Sequence, residues 1–499
     1  MKRILPVLLL CCSVSALALV PPRDPSRRAE WQEQLINRSD IARMPAAEQA
    51  VGQRTIIPRI LVIMANFTDY ELVSSAADVD SMFNAVNWTK DGATGSVRQY
   101  FYDQSMGQYN PQFDIVGPVT LSNGYAYYGG GCSSTTRAGY MVTEACALVD
   151  EQVDFTEYDS NNDGKVDLVY VFFAGFGEND PPQRDSLIPV TCELPWPHYW
   201  NVVSAGYGSN PREFDGKKIY DYEISNELDG YYSTKAKKVI SGIGVVCHEF
   251  GHALGLPDTY STGSGAHYEK LLGSWDIMCY GPYNNDMHTP PSYTAYERFY
   301  MGWLTPELIT KGDTLTLENL AAANKAYLIC ETDTHNLNGL QPDPETFYLL
   351  ENKQRTGWDI GVPGSGLMLT RIHYRSSLWS GNKVNNDPAD LGIDLIEADG
   401  LTPVYNKKNL DNGYYGKPGD LFPAGATEYT AITDHAITDI TMTDGIIRFV
   451  YRGGKKVDPP TGVSSVISEQ PVYKTLTNGQ LLIHSNGHIY SVYGVKQDN

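Results

Sequence analysis

Two stretches of the chain leave little freedom in how it can fold. Residues 59–67 read Arg-Ile-Leu-Val-Ile-Met-Ala-Asn-Phe and residues 166–173 read Val-Asp-Leu-Val-Tyr-Val-Phe-Phe. Successive side chains of a strand point to opposite faces of a sheet, so a strand that is apolar at nearly every position must be covered on both sides. Both runs are therefore predicted to be central strands, with a further strand over 113–119. Apolar spacing near 3.6 residues predicts flanking helices. One is expected over 73–105, carried by Val79, Met82, Phe83, Val86, Val97, Tyr100 and Phe101 and interrupted at Gly92 and Gly95, and one over 137–149. This mixture implies an α/β or α+β domain over 56–305. After Trp303 the texture changes to short strand-like pieces at 314–317, 326–331, 347–351, 366–373 and 446–451, separated by Gly, Asn, Asp and Pro. That pattern predicts a mostly β domain over 306–455.

The chain has 499 residues, room for two or three domains of roughly 100–200 residues each. Lys2 and Arg3 precede an almost continuous apolar stretch over 4–19, and Ala16-Leu17-Ala18 supplies a small-x-small cleavage site. A signal peptide over 1–18 is expected, with the mature start near Leu19. The stretch is shorter than the roughly 20 apolar residues a membrane span requires, and no other segment approaches that length, so export without a transmembrane anchor follows. Residues 19–55 read as a leader or a short pro-segment with a helical stretch at 30–38. The formal charge of −21 leaves no basic surplus to neutralise phosphates and excludes nucleic-acid binding as the main role. Six cysteines remain beyond the signal: Cys132, Cys146, Cys192, Cys247, Cys279 and Cys330. Export permits disulfides, and Cys132 and Cys146 could close a short loop. No CxxC pair is present, so a thiolate metal site is not expected.

The chemistry is concentrated at His248-Glu249-Phe250-Gly251-His252. On a helix, positions i and i+4 share a face, so both imidazoles can reach one ion, with Glu249 beside them to polarise a water and carry its proton. Ile243, Val245, Val246 and Cys247 give this helix an apolar body that can bury it. Gly255 can reverse the chain after the helix, returning Asp258 to the open side of the ion as an oxygen ligand. Its plain alternative is a turn residue after Pro257. Further on, Met278 sits in Ile277-Met278-Cys279-Tyr280, where a methionine turn can floor a metal site and Tyr280 can donate to a developing oxyanion. His267 and His288 are the candidate replacements should Asp258 not ligate. His198, in Trp-Pro-His-Tyr-Trp, reads either as a cleft wall or as a hydrogen-bonded structural histidine.

The block from Cys247 to Tyr260, Cys-His-Glu-Phe-Gly-His-Ala-Leu-Gly-Leu-Pro-Asp-Thr-Tyr, resembles the immune-inhibitor-A-like secreted metallopeptidases, peptidase family M6, within the metzincin group. Gly95–Phe101, Trp196-Pro197-His198, Phe347–Lys353, Gly357-Trp358-Asp359 and Asp420-Leu421-Phe422-Pro423 extend the similarity over about 56–430. The resemblance implies an α+β, metzincin-like zinc peptidase domain with a mixed central sheet and an active-site helix. It matches His248 and His252 to zinc ligands, Glu249 to the general base, Met278 to the Met-turn and Tyr280 to a tyrosine that acts in the transition state. Asp258 stands where many metzincins carry a third histidine, a replacement usual in the family it resembles.

Two features lie outside that site. Asp159, Asn161, Asp163, Lys165 (through its carbonyl) and Asp167 have near EF-hand spacing around Gly164, although Tyr170 stands where the bidentate Glu would be. A structural calcium loop is expected there. The tail over 456–499 follows a Pro-Pro linker and alternates around Asn478-Gly479 and Asn486-Gly487, a hairpin pattern similar to the C-terminal sorting domains of the Bacteroidota type IX secretion system. That resemblance implies secretion machinery as a partner and a cell-surface or extracellular destination in a Gram-negative cell. Together these readings predict a secreted zinc metalloendopeptidase acting on proteins or peptides. The alternative is a non-catalytic adhesion protein whose zinc is structural, with a protein group at the fourth metal position. A glycan-directed hydrolase would need two carboxylates at a defined separation, and no such pair stands out.

Overall fold

The computed structural model describes residues 18–19, 21–24, 55–130, 137–182, 191–262, 271–401 and 415–454, together with the strands of the tail. The hydrophobic stretch before Ala18, the helix expected at 30–38 and His267 lie outside the described residues. The first part of the chain supplies β1 (Ala18–Leu19), β2 (Arg59–Asn66), β3 (Gln112–Thr120), β4 (Val169–Phe176) and β5 (His198–Asn201). A small ribbon of β6 (Glu213–Phe214) and β7 (Lys217–Lys218) precedes β8 (Asp221–Leu228). The main sheet runs β1-β5-β8-β4-β2-β3. Its four strands β8, β4, β2 and β3 are parallel, whereas β5 lies antiparallel on β8 and β1 antiparallel on β5. Both apolar runs occupy the centre as expected: every residue of β4 and all but the ends of β2 are buried.

The α-helices of this first part are α1 (Ala76–Asn84), α2 (Val97–Gln104), α3 (Tyr125–Tyr128), α4 (Ala138–Val149), α5 (Gly244–Ala253) and α6 (Ala295–Met301). The helical pattern over 73–105, interrupted at Gly92 and Gly95 as expected, forms two helices. Each begins at its own serine: Ser75 forms a capping box with Asp78, and Ser96 accepts from the Gln99 amide. A side-chain acceptor at each start satisfies amides that a continuous helix would not expose. Phe83 from α1 meets Phe113 of β3 and Tyr170 of β4 at ring separations of 5.3 Å each, a burial worth about 1.5–3 kcal/mol per large side chain.

Beyond Trp303 the chain forms β9 (Glu307–Leu308), β10 (Asp313–Leu317), β11 (Tyr327–Ile329), β12 (Thr346–Lys353), β13 (Gly366–His373), β14 (Ile393–Leu395), β15 (Ile437–Thr443) and β16 (Ile446–Tyr451). These make a five-stranded sheet, β14-β13-β12-β11-β9, and a three-stranded one, β10-β16-β15. The architecture is thus a mixed α+β unit followed by a largely β one, as the sequence predicts. Phe347, Met368 and Ile372 belong to the same apolar cluster as Leu61 and Phe172, so this β region packs directly against the first. The tail folds as an antiparallel meander, β17 (Tyr473–Thr477), β18 (Gln480–Ser485), β19 (His488–Ser491) and β20 (Lys496–Gln497). Thr477 pairs with Gln480 and Ser485 with His488, and the two Asn-Gly pairs expected to turn the chain lie outside the described residues.

One expectation is corrected. Cys146 is a free thiol buried on the inner face of α4, packed into the main apolar cluster, so it does not bond to Cys132. Cys192 is disulfide-bonded, and Cys247, Cys279 and Cys330 are free. Among the described residues no helix is long and apolar enough to cross a membrane.

Candidate metal centre

Helix α5 carries the histidine pair and is buried along its whole length. The ring Nδ1 of His248 lies 2.7 Å from the Ile277 carbonyl, and that of His252 lies 2.7 Å from the Leu256 carbonyl. A carbonyl can only accept, so each Nδ1 carries the proton and each Nε2 presents a lone pair. The two Nε2 atoms are 3.2 Å apart, and the Asp258 Oδ1 stands 3.3 Å from one and 3.2 Å from the other. That oxygen is buried and has no hydrogen-bond donor. Three atoms that can each offer a lone pair, brought this close in a buried site, suit a shared cation. Tetrahedral zinc with bonds of about 2.0–2.1 Å spaces its ligands roughly 3.3–3.4 Å apart, so the donor set fits zinc in both chemistry and spacing.

Local chemistry explains how Asp258 arrives there. Helix α5 ends at Ala253, and Gly255 follows with φ +110°, a conformation that L side chains resist. The reversal brings Asp258 back beneath the imidazoles. Asn382, from the loop after β13, then clamps it twice: its Oδ1 accepts the Asp258 amide at 2.7 Å, and its Nδ2 donates to Asp258 Oδ2 at 2.6 Å. Asn385 and Asn386 of the same loop bind the Thr259 carbonyl and the Thr262 amide. The β region therefore holds the third donor of a site built mainly by the first part of the chain. Sequence reasoning misses this contribution, because Asn382 looks like an ordinary turn residue.

Glu249 projects beside the imidazoles, within a His248–Glu249–His252 group whose ligand atoms lie within 4.8 Å of one another. Its Oε2 accepts the Tyr199 amide of β5 at 2.9 Å, which ties the carboxylate to the sheet edge. Behind it, Glu223 of β8 is fully buried and directly paired with Tyr199. Burial, and then the nearby Glu249 charge, pushes the Glu223 carboxyl well above the usual range. Met278 lies under the helix: a Cβ added to Gly251 would come within 2.9 Å of its sulfur. Gly251 thus permits the close approach that floors the histidine pair. Asp276 fastens this turn to the Asp258 loop, accepting the Met278 amide at 2.6 Å and the Thr259 hydroxyl at 2.9 Å. Tyr280 is buried in the same turn, edge-on to Tyr415 at 5.5 Å.

The other motifs of the resemblance assemble around this turn. Lys353 is buried against Asp359, which accepts the Ser292 amide, while Trp358 donates to Asp103. Asp420 accepts the Trp275 indole N–H. His198 has both ring nitrogens occupied, at 2.6 Å from the Trp196 carbonyl and 2.7 Å from the Tyr222 hydroxyl. Burial lowers its pKa to about 4, so it is a neutral structural histidine. His288 is turned to the Asp286 carbonyl. In the loop expected to hold calcium, Asp159 accepts the Asp163 and Gly164 amides, Asn161 accepts from Asp163, Asp163 from Lys165 and Asp167 from Ser160. The Lys217 ammonium sits 2.6 Å from Asp159, which already supplies one positive charge to the loop.

Comparison with known proteins agrees with this geometry. Residues 78–303 match the family model described as immune inhibitor A peptidase M6, catalytic domain. The chain is 28% identical over 213 residues to the pre-pro-metalloprotease PrtV of Vibrio cholerae serotype O1, covering 37% of this chain and 21% of that protein. It is 25% identical over 303 residues to immune inhibitor A of Bacillus thuringiensis subsp. alesti, covering 51% of this chain and 41% of that protein. The chain thus spans between about a fifth and two fifths of the length of these relatives. Residues 78–303 are thus similar to the catalytic domain of the immune-inhibitor-A-like M6 zinc peptidases.

Proposed function

We propose that the protein is a secreted zinc metalloendopeptidase that hydrolyses peptide bonds in proteins. The observation that carries this reading is the convergence of two imidazole Nε2 atoms and a buried carboxylate oxygen at 3.2–3.3 Å, with Glu249 alongside. His248, His252 and Asp258 would hold the ion. Zinc supplies Lewis acidity there, making water nucleophilic near neutral pH and polarising a carbonyl. Glu249, oriented by the Tyr199 amide, takes the proton of the attacking water as its oxygen adds to the scissile carbon. It then delivers that proton to the amine nitrogen as the C–N bond breaks. Tyr280 is assigned to the oxyanion and Met278 to support of the ligands. The Tyr199 tether argues against Glu249 closing the site as a fourth ligand, which is what the adhesion reading would need.

Calcium at 159–167 is proposed as a structural ion that would displace the Lys217 ammonium from Asp159. One experiment separates the two metals. Protein stripped by a chelator should lose protein hydrolysis, regain it with one zinc per chain, and gain only thermal stability from added calcium. Hydrolysis that survives stripping would exclude the zinc mechanism, and an unchanged melting temperature with calcium would exclude the structural ion.

The tail is proposed as a secretion sorting domain, on the support of its four-stranded antiparallel meander and of its sequence pattern. Deletion of 456–499 should leave zinc content and hydrolysis intact while the protein accumulates inside the producing cell. Normal export of the truncated chain would remove that assignment.

A further inference from the structure

We propose that the cleft carries a guanidinium subsite, formed by Asp180, Asp229 and Asp286 beside Tyr231 and Tyr232, that takes an arginine side chain of the peptide substrate. The proposal rests on the peptidase reading and specifies its substrate class. Its occupant in this structure is the chain's own Arg23. The Arg23 Nη1 lies 2.8 Å from Asp229 Oδ2 and 3.1 Å from Asp180 Oδ2, and its Nη2 lies 2.8 Å from Asp286 Oδ1. The guanidinium stands 5.2 and 5.6 Å from the ring centres of Tyr231 and Tyr232. A planar fork reaching several carboxylates while lying against aromatic rings is recognition suited to arginine rather than lysine.

The pocket is built independently of its occupant. The Gly230 amide donates to Asp180 at 2.9 Å and the Tyr232 amide donates to Asp229 at 2.7 Å, so backbone geometry fixes both carboxylates. Asp180 and Asp229 are buried, and Asp286 is half-exposed at the mouth. Three carboxylates face one guanidinium, and burial, offset by Arg23 and reinforced by Asp229, pushes the Asp180 carboxyl up to about 6. A cavity of about 460 Å³ remains around Arg23. Asn179 lines it, is itself buried, and its Oδ1 has no hydrogen-bond partner among the described residues.

The path of the occupant links the pocket to the edge of β5. Ala18 and Leu19 pair antiparallel with Tyr199 and His198 on the outer edge of β5, and the Tyr199 amide is the group that holds Glu249. An extended peptide completing that edge is the expected mode of substrate binding. Downstream of this pairing, the Pro21 carbonyl accepts from the Tyr283 hydroxyl and the Arg23 amide donates to the Asn179 carbonyl at 3.0 Å. A substrate following the same path would place an arginine four residues C-terminal to the residue opposite His198.

The test reads binding without hydrolysis, in the full chain carrying Glu249→Gln together with Arg23→Ala. The probes are the acetylated hexapeptide amide Leu-Val-Pro-Pro-Arg-Asp, which is residues 19–24 of this chain, and its twin with citrulline, the neutral isostere, in place of arginine. The arginine peptide is expected to bind at least about tenfold tighter than its twin, and added Asp229→Asn should erase the difference. Equal binding of the twins, or selectivity that survives Asp229→Asn, overturns the subsite. Should Arg23→Ala fail to fold, Arg23→Lys keeps the positive charge but loses the fork, and the same arginine selectivity is required of it. Loss of selectivity refutes the subsite and leaves the peptidase reading standing, whereas selectivity in a protein that never hydrolyses peptides does the reverse.

Discussion

Glu249→Gln is expected to keep one zinc per chain while protein hydrolysis falls by about 10²–10⁴-fold, the range that positioned acid–base groups contribute. Glutamine has nearly the same shape, and its amide oxygen can still accept the Tyr199 N–H that Glu249 Oε2 now accepts at 2.9 Å. The three proposed donors, His248, His252 and Asp258, are untouched, and the helix that carries them stays packed on Met278. What disappears is the only function that separates the two side chains here, the ability to accept a proton from water and return it to the departing amine. Zinc content and hydrolysis, measured on the same preparation, distinguish the outcomes. Retained metal with lost activity supports the general-base assignment, and undiminished activity would refute it. Equal loss of both would instead show Glu249 to be a structural part of the site, which is the outcome the adhesion reading requires.

The parts of this site that the sequence reveals are those with short-range geometry. His248 and His252 share a face because they are one helical turn apart, and Asp258 follows from a glycine that must reverse the chain, observed at φ +110°. The central strands are legible because their apolar runs allow no solvent-facing side. What cannot be read depends on which distant segment arrives. The amide that orients Glu249 belongs to Tyr199, fifty residues earlier, and nothing about that tyrosine marks its backbone. Asn382 lies 124 residues beyond the carboxylate it clamps. Glu223 looks like a polar residue in a half-exposed strand, yet it is fully buried opposite Tyr199. The break within 73–105 is legible at Gly92 and Gly95, whereas the serine caps that set where α1 and α2 begin are weak local signals. The pairing suggested for Cys146 fails for a different reason: sequence distance to Cys132 is short, but the helical face of Cys146 points into the core.

Asp258→Ala should abolish stoichiometric zinc binding and, with it, hydrolysis. Two imidazoles four residues apart are a bidentate clip, and the Asp258 Oδ1 stands at 3.2–3.3 Å from both Nε2 atoms. Removing Asp258 also leaves Asn382 Nδ2 buried without its acceptor at 2.6 Å, so the apoprotein should melt lower as well. Asn382→Ala gives the graded comparison. The donor set survives intact, but Asp258 loses both the donor on its second oxygen and the acceptor for its amide. Loss of such an outer contact typically weakens metal binding by about 10–100-fold. Saturating zinc should therefore still fill one site per chain in Asn382→Ala and restore activity, which it cannot do in Asp258→Ala. Competition with a zinc-binding dye reads both affinities without reference to turnover. Full zinc occupancy at wild-type affinity in Asp258→Ala would move the third ligand elsewhere, with His267 and His288 as the residues to replace next. Wild-type affinity in Asn382→Ala would mean that the Gly255 reversal and the Asp276 tether alone hold the carboxylate in place, so that the β region packs beside the metal centre without contributing to it.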